Sequence, residues 1–161
     1  LVNDDGEIWA VDRSQGRLQR VAANAARLGL GSISALTADA AALQNDRPSW
    51  KGSFQRILLD APCSGLGTLA RHPDARWRIT PASIDGMLSL QKDLLDGLLP
   101  LLAPRGRLVY ATCTIHPAEN DQQIDQLLKR HPQLECLEQH QRWPDDASGG
   151  DGFFAAVLQR R

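Results

Sequence analysis

No segment of this 161-residue chain is both long and apolar enough to cross a bilayer. The longest apolar run, Leu94 to Leu102, is broken by Asp96, Gly97 and Pro100, and stops far short of the roughly 20 residues a span requires. No signal-peptide pattern opens the chain. Neither sign of charge is in excess: 18 Lys and Arg against 19 Asp and Glu leave −1, so any attraction for nucleic acid must come from a local basic surface. The three cysteines, Cys63, Cys113 and Cys136, have neither CxxC spacing nor a histidine-rich neighbourhood. That argues against zinc and against a disulfide framework, and fits a reducing cytoplasm. Internal repeats and low-complexity segments are lacking too. What is there, 42% hydrophobic residues, suits one compact domain with a sizeable core. Leu1 to Gly6 contains no initiator methionine and reads as a helix end followed by a turn, so the chain is expected to be a piece of a longer protein.

Strand and helix signals alternate. Glu7 to Asp12 reads as a strand ending in an acid; Ser14 then caps an Arg- and Ala-rich helix closed by Gly29 and Gly31. Ser32 to Asp39 is the next strand, followed by a polar loop through Asn45, Pro48 and Gly52. Phe54 to Asp60 has the length and apolarity of a buried parallel strand. Thr80-Pro81 opens a helix with Ile84, Met87, Leu88, Leu94, Leu95 and Leu98 at helical spacing. Gly106 to Thr112 is predicted as a fourth strand and Pro117 to Arg130 as a helix. Leu134–Leu137 and Phe153–Leu158 close the fold around a loose Asp/Gly/Ser loop. The alternation implies an α/β fold with a parallel sheet, whose ligands bind beyond the carboxyl ends of the strands. Asp12, Asp39, Asp60 and Cys113 all fall at such ends, on one rim.

Strand-end acids can accept from ribose hydroxyls and from an adenine amino group, so Asp12 and Asp39 suit a nucleoside cofactor. They equally suit turns, where Asp is common. In Asp60-Ala61-Pro62-Cys63-Ser64-Gly65-Leu66-Gly67 a proline stiffens the turn and glycines admit close approach to a thiol. Cys113, in Ala111-Thr112-Cys113-Thr114, precedes Pro117, which would place its sulfur at the positive end of a helix and favour thiolate. Either thiol could instead be a small buried residue. Arg71, His72, Arg76, Trp77 and Arg78 combine positive charge with an aromatic ring, as phosphate contact and base stacking need; a solvated loop would look similar.

These residues carry a resemblance. DAPCSGLGTLARHPDARW, GRLVYATCTIHPAEN and the later DGFF are similar, over Gly6 to the C-terminus, to the RNA 5-methylcytosine methyltransferases of the NOL/NOP/Sun family, in particular its bacterial Sun/Fmu-type branch acting on small-subunit ribosomal RNA. The resemblance implies a Rossmann-like class I methyltransferase sheet of seven strands with S-adenosylmethionine as methyl donor. It implies that Asp12 holds the ribose, Asp39 meets the adenine and Asp60 lies between cofactor and target base. Cys113 would be the nucleophile and Cys63 the residue that resolves the covalent adduct. DNA cytosine-5 methyltransferases attack with a Pro-Cys cysteine, which keeps Cys63 as a chemical alternative. The basic loop would contact RNA, although Ala70 stands where many relatives have a second basic residue. Phe153 and Phe154 are read as packing.

By the same resemblance residues 1–161 form a single, partial catalytic domain. The first strand, the Gly-rich cofactor loop and an RNA-binding region would precede it, leaving two unpaired sheet edges and a marginal or aggregation-prone segment. A cytoplasmic, monomeric rRNA-modifying enzyme without metal is the expectation. The alternatives are methylation of another RNA such as tRNA, and an inactive RNA-binding fragment.

Overall fold

In the computed structural model, which describes residues 4–145 and 149–161, strands and helices follow in the order β1 (Ile8–Asp12), α1 (Gln15–Leu28), β2 (Ile33–Thr37), α2 (Leu43–Asp46), β3 (Phe54–Asp60), α3 (Pro81–Leu98), β4 (Leu102–Thr112), α4 (Asp121–Arg130), β5 (Leu134–Arg142) and β6 (Phe153–Arg160). The Ser14 hydroxyl accepts from the Arg17 N–H and caps α1, an interaction worth about 1 kcal/mol. Gly29 ends that helix with φ 68, a left-handed conformation glycine adopts without steric cost. Thr80 and Ser83 exchange side-chain and backbone hydrogen bonds in a capping box at the start of α3.

The alternation holds, but the sheet is neither single nor wholly parallel. β1 and β2 pair in parallel as one ladder, and β3-β4-β6-β5 form a second. Within the second, β3 and β4 are parallel while β6 runs antiparallel to both of its neighbours, because β5 and β6 form a hairpin and not a helical crossover. Asp145 and Gly150 bridge within the connecting loop; residues 146–148 of the expected loose loop, like residues 1–3 of the expected helix end, lie outside the described residues. Leu95, Leu102, Leu108, Tyr110, Ile124, Leu127, Ala156 and Leu158 are fully buried between α3, α4 and this sheet. Each large aliphatic among them contributes roughly 1.5–3 kcal/mol.

Several boundaries differ from expectation. β2 ends at Thr37, so Asp39 lies in the loop beyond it. β4 begins at Leu102, whose buried side chain pairs opposite Phe54 ahead of a register shift. The predicted helix from Pro117 is split into a 3-10 turn, Pro117–Glu119, and α4, with the break at Asn120 (φ −113, ψ −108). The polar loop contains α2 and a 3-10 turn at Pro48–Trp50.

Among the described residues, β3 pairs on one edge alone, and Leu58 on that strand is 71% exposed. β1 likewise pairs only with β2. Aromatic rings link the two ladders: Trp9 of β1 lies 4.9 Å from Trp50, and Trp50 lies 5.2 Å from Phe54 of β3.

Candidate active site

β3 and β4 run side by side with Asp60 opposite Ala111, so the chain leaves both strands at the same end. Just past Thr112 and Asp60 the loops converge, and the sulfurs of Cys63 and Cys113 stand 3.5 Å apart, each half-buried and unbonded. One of the pair can be an anion only if the other stays a donor. The Cys63 hydrogen bond lowers the Cys113 thiol to about 7, against the opposing effects of burial and of the Asp60 and Asp151 charges. Cys63 moves the other way: donating to Cys113, burial and the Cys113 charge all hold its proton on. The sequence pattern attributed thiolate character at Cys113 to a helix end, and this needs correction. α4 starts only at Asp121, and the chief stabilising group is the second thiol.

Backbone hydrogen bonds fix the loops against each other. Ala61 N–H donates to Ala111 O at 2.8 Å, Gly67 N–H to Cys113 O at 3.0 Å, and Gly152 N–H to Gly67 O at 2.8 Å. A Cβ on Gly67 would stand 2.1 Å from Gly152 O, so only glycine fits there.

Against the Cys63 loop lies a carboxylate that sequence reasoning missed. Glu119 is fully buried. Its Oε1 accepts from Ser64 N–H at 2.8 Å and Gln91 Nε2 at 3.0 Å, and its Oε2 accepts from Ser64 Oγ at 2.5 Å. Ser64 Oγ also meets Thr114 Oγ1 at 2.8 Å, and Gln91 Nε2 reaches Pro62 O at 2.9 Å. Asn120 continues the network, accepting from Thr112 Oγ1 at 2.7 Å and donating to Thr114 O at 3.0 Å.

Asp60 is exposed at the rim beside the thiols. Asp12 and Asp39 belong to the β1–β2 ladder and its following loop. Each gives one oxygen to its own turn, Asp12 to Ser14 N–H at 2.7 Å and Asp39 to Ala41 N–H at 3.0 Å. The other oxygen faces an arginine, Arg17 at 3.1 Å and Arg13 at 3.6 Å respectively. Both are turn formers, therefore, and both keep acceptor capacity at the surface. Arg71, His72, Arg76, Trp77 and Arg78 lie on and around a 3-10 turn at Pro73–Trp77, and all are exposed, with Trp77 at 83%. Arg71 pairs with the mostly buried carboxylate of Asp151, and Arg78 with Asp74 at 2.7 Å.

A sequence model of the 16S rRNA methyltransferase RsmB/F family matches residues 1–159. The chain belongs to this family. A probable ribosomal RNA small subunit methyltransferase B from Synechocystis sp. is 48% identical over 81% of the chain and 29% of its own length. Ribosomal RNA small subunit methyltransferase B of Erwinia tasmaniensis is 40% identical over 96% of the chain and 37% of its own length. The chain thus spans about a third of these relatives. The crystal structure of PH0851 superposes with a TM-score of 0.89 at 31% identity, covering 98% of this chain and 38% of that one.

Within this RsmB/F-family chain the two phenylalanines separate. Phe154 is buried and meets Tyr110 edge-on at 6.4 Å, as packing requires. Phe153 is 45% exposed next to Gly152, and the expectation that it packs is corrected. Cys136 sits on β5 against the core, two strands removed from β4. Among the described residues no helix is long and apolar enough to cross a membrane, and no group of three acids, histidines or cysteines could hold a metal ion.

Proposed function

We propose that this chain is the catalytic portion of an S-adenosylmethionine-dependent methyltransferase that methylates C5 of a cytosine in small-subunit ribosomal RNA through a covalent Cys113–C6 adduct. The observation that carries the reading is the thiol pair, 3.5 Å apart and polarised in opposite directions beside Asp60.

The chemistry follows from the target ring. C5 of cytosine is too electron-poor to take up a methyl group unaided. The Cys113 thiolate adds to C6, the ring becomes an enamine, and C5 turns nucleophilic. Asp60 accepts from the N4 amino edge and stabilises a protonated N3 as charge develops. S-Adenosylmethionine, when bound, supplies the activated methyl group. Asp12 and Asp39, each with acceptor capacity to spare, fit its ribose hydroxyls and adenine amino group.

The second thiol has a role that changes with the first. While Cys113 is an anion, Cys63 keeps its proton as donor. Once Cys113 is bonded to C6 that charge is gone, and with it the Cys113-derived reasons for Cys63 to stay protonated. Cys63 then releases its proton to solvent, and the resulting thiolate, or a water it orients, takes the C5 proton; the C5–C6 double bond re-forms and Cys113 leaves as thiolate. The base must arrive single-stranded or flipped from its stack, past the basic loop. Free thiols fit the cytoplasm.

The test is methylation of small-subunit RNA by the full protein carrying this chain. Cys113→Ala is expected to abolish methylation, and Cys63→Ala to accumulate a denaturant-resistant protein–RNA adduct. The reverse result would make Cys63 the nucleophile; activity on tRNA alone would move the substrate.

A further inference from the structure

The mechanism uses Cys63, Cys113 and Asp60, and leaves unexplained why a carboxylate whose hydrogen-bond donors are all neutral is buried against the loop that carries Cys63. An isolated carboxyl group is costly to bury unless hydrogen bonds replace its water. Glu119 has those bonds, and their origin is informative: Ser64 gives it two, and Ser64 is the residue after Cys63. Gln91 of α3 gives a third and also holds the carbonyl of Pro62, the residue before Cys63. Both flanks of Cys63 are therefore tied to Glu119, directly or through one side chain. Glu119 itself lies six residues after Cys113, and Ser64 Oγ touches Thr114, the residue after Cys113. Its own backbone carbonyl is held by the Tyr110 hydroxyl of β4 at 2.7 Å.

We infer that Glu119 is a positioning residue that sets the separation of the Cys63 and Cys113 sulfurs, by clamping the Cys63 loop through Ser64 and Gln91 to the strand-end turn that carries Cys113. This rests on the functional reading above and deepens it. Glu119 does not touch the reacting base. Its effect passes through Cys63, whose thiol must stay within hydrogen-bond range of the Cys113 sulfur to stabilise it as an anion. Of the other charged groups facing Cys113, Asp151 before β6 and Arg71 of the basic loop pair with each other, and Asp60 stands exposed at the end of β3.

The test follows alkylation of Cys113 by iodoacetamide against pH, read peptide by peptide by mass spectrometry, in the full protein carrying this chain. It needs neither cofactor nor RNA. The wild-type rate should reach half its maximum near pH 7. Glu119→Ala should move that midpoint upward by about one unit or more, or a tenfold change in thiolate ratio. Glu119→Gln, which keeps an acceptor for Ser64 N–H and Gln91, should restore most of it. In a Cys63→Ala background the midpoint is already high, and Glu119→Ala should add nothing. A generally loosened fold would shift both backgrounds alike, which would overturn the inference, as would a folded Glu119→Ala protein with an unmoved midpoint. If Glu119→Ala does not fold, Ser64→Ala takes its place: an upward shift that vanishes without Cys63 supports the clamp, and no shift overturns it. A wild-type midpoint at the ordinary thiol value of 9.0 would instead fail the thiolate reading of Cys113 itself, whichever way the variants behave.

Discussion

Gly67 hands its N–H to the carbonyl of Cys113 while its own carbonyl takes the N–H of Gly152, so a side-chain-free residue is the meeting point of the loops after β3, after β4 and before β6. A methyl group at Gly67 would overlap backbone atoms of both partners, at 2.1 Å from Gly152 O and 2.8 Å from Cys113 O. Gly67→Ala is expected to cost about 1–3 kcal/mol or more and to raise the pH midpoint of Cys113 alkylation, because backbone cannot move aside as a side chain can. Gly52→Ala is the control. It has a left-handed φ of 67 but open space for a Cβ and lies ahead of β3, so it should lower the melting temperature while leaving the alkylation midpoint in place. Equal midpoints for the two variants and the wild type would contradict this.

Stability should change with pH around the thiol pair in a definite sense. Cys113 has a folded value near 7 against an ordinary 9.0, so the unfolded chain binds more protons between these values. Its contribution is present in full above about 9 and is lost as pH falls through 7. Cys63 is raised, so its contribution is present below its ordinary value of 9.0 and is lost at higher pH. Chemical denaturation of wild type against Cys63→Ala should show the wild type gaining least near pH 6 and most near pH 8 to 9. A difference that is flat across that window would mean the sulfurs do not share a proton.

Proximity should also make the pair oxidisable. A disulfide oxidant such as glutathione disulfide reacts with the Cys113 thiolate to give a mixed disulfide; the Cys63 thiol, losing its proton, then displaces the second glutathione. Two thiols become one disulfide and two molecules of reduced glutathione are released. Mass spectrometry should find Cys63 linked to Cys113 and Cys136 still free, with alkylation of Cys113 restored by dithiothreitol. Stable glutathionylation without the internal link would contradict the 3.5 Å separation.

RNA affinity is expected to depend on the exposed arginines of the basic loop. Replacing Arg76 and Arg78 by alanine should weaken binding of single-stranded RNA and lower the slope of log affinity against log salt by roughly 0.7 for each phosphate that is no longer neutralised. Anisotropy titrations at several salt concentrations read both. Trp77→Ala should reduce affinity without changing the slope, since stacking releases no counterions. An unchanged slope in the double variant would remove this loop from the RNA path.

Leu58 identifies a weakness of the 161-residue segment on its own. An apolar side chain 71% exposed on a strand edge is an invitation to pair with other chains. The segment is expected to scatter light on concentration and to melt without a sharp transition, and Leu58→Lys should reduce the scattering. A monodisperse segment with a sharp, cooperative melt would contradict this.

How much of this was legible from residues alone differs between elements. The order of strands and helices was, because Ser14, Gly29 and Thr80-Pro81 punctuate the chain by local chemistry. The convergence of Cys63 and Cys113 was also legible, since strand ends in an α/β sheet share a rim. Glu119 was not. Pro117-Ala118-Glu119 reads as an ordinary first helical turn with a favourable acid, and the partners that draw the carboxylate inward lie 55 and 28 residues away in sequence. The cause of the Cys113 shift was missed for the same reason, its donor being 50 residues distant. Phe153 and Phe154 look alike in sequence; strand alternation sends one into the core and the other outward.

The link from Gly152 to Gly67, reinforced by Arg71 on Asp151, has a practical consequence for anyone cutting or grafting this domain. A product ending at Asp145 would retain every sulfur and every acid of the proposed chemistry, yet would lose β6, the strand that joins β4 to β5, together with the latch that presses the first cysteine's loop shut. The stretch from Asp151 onward is therefore an unsafe place to trim and a poor site for fusing a rigid tag.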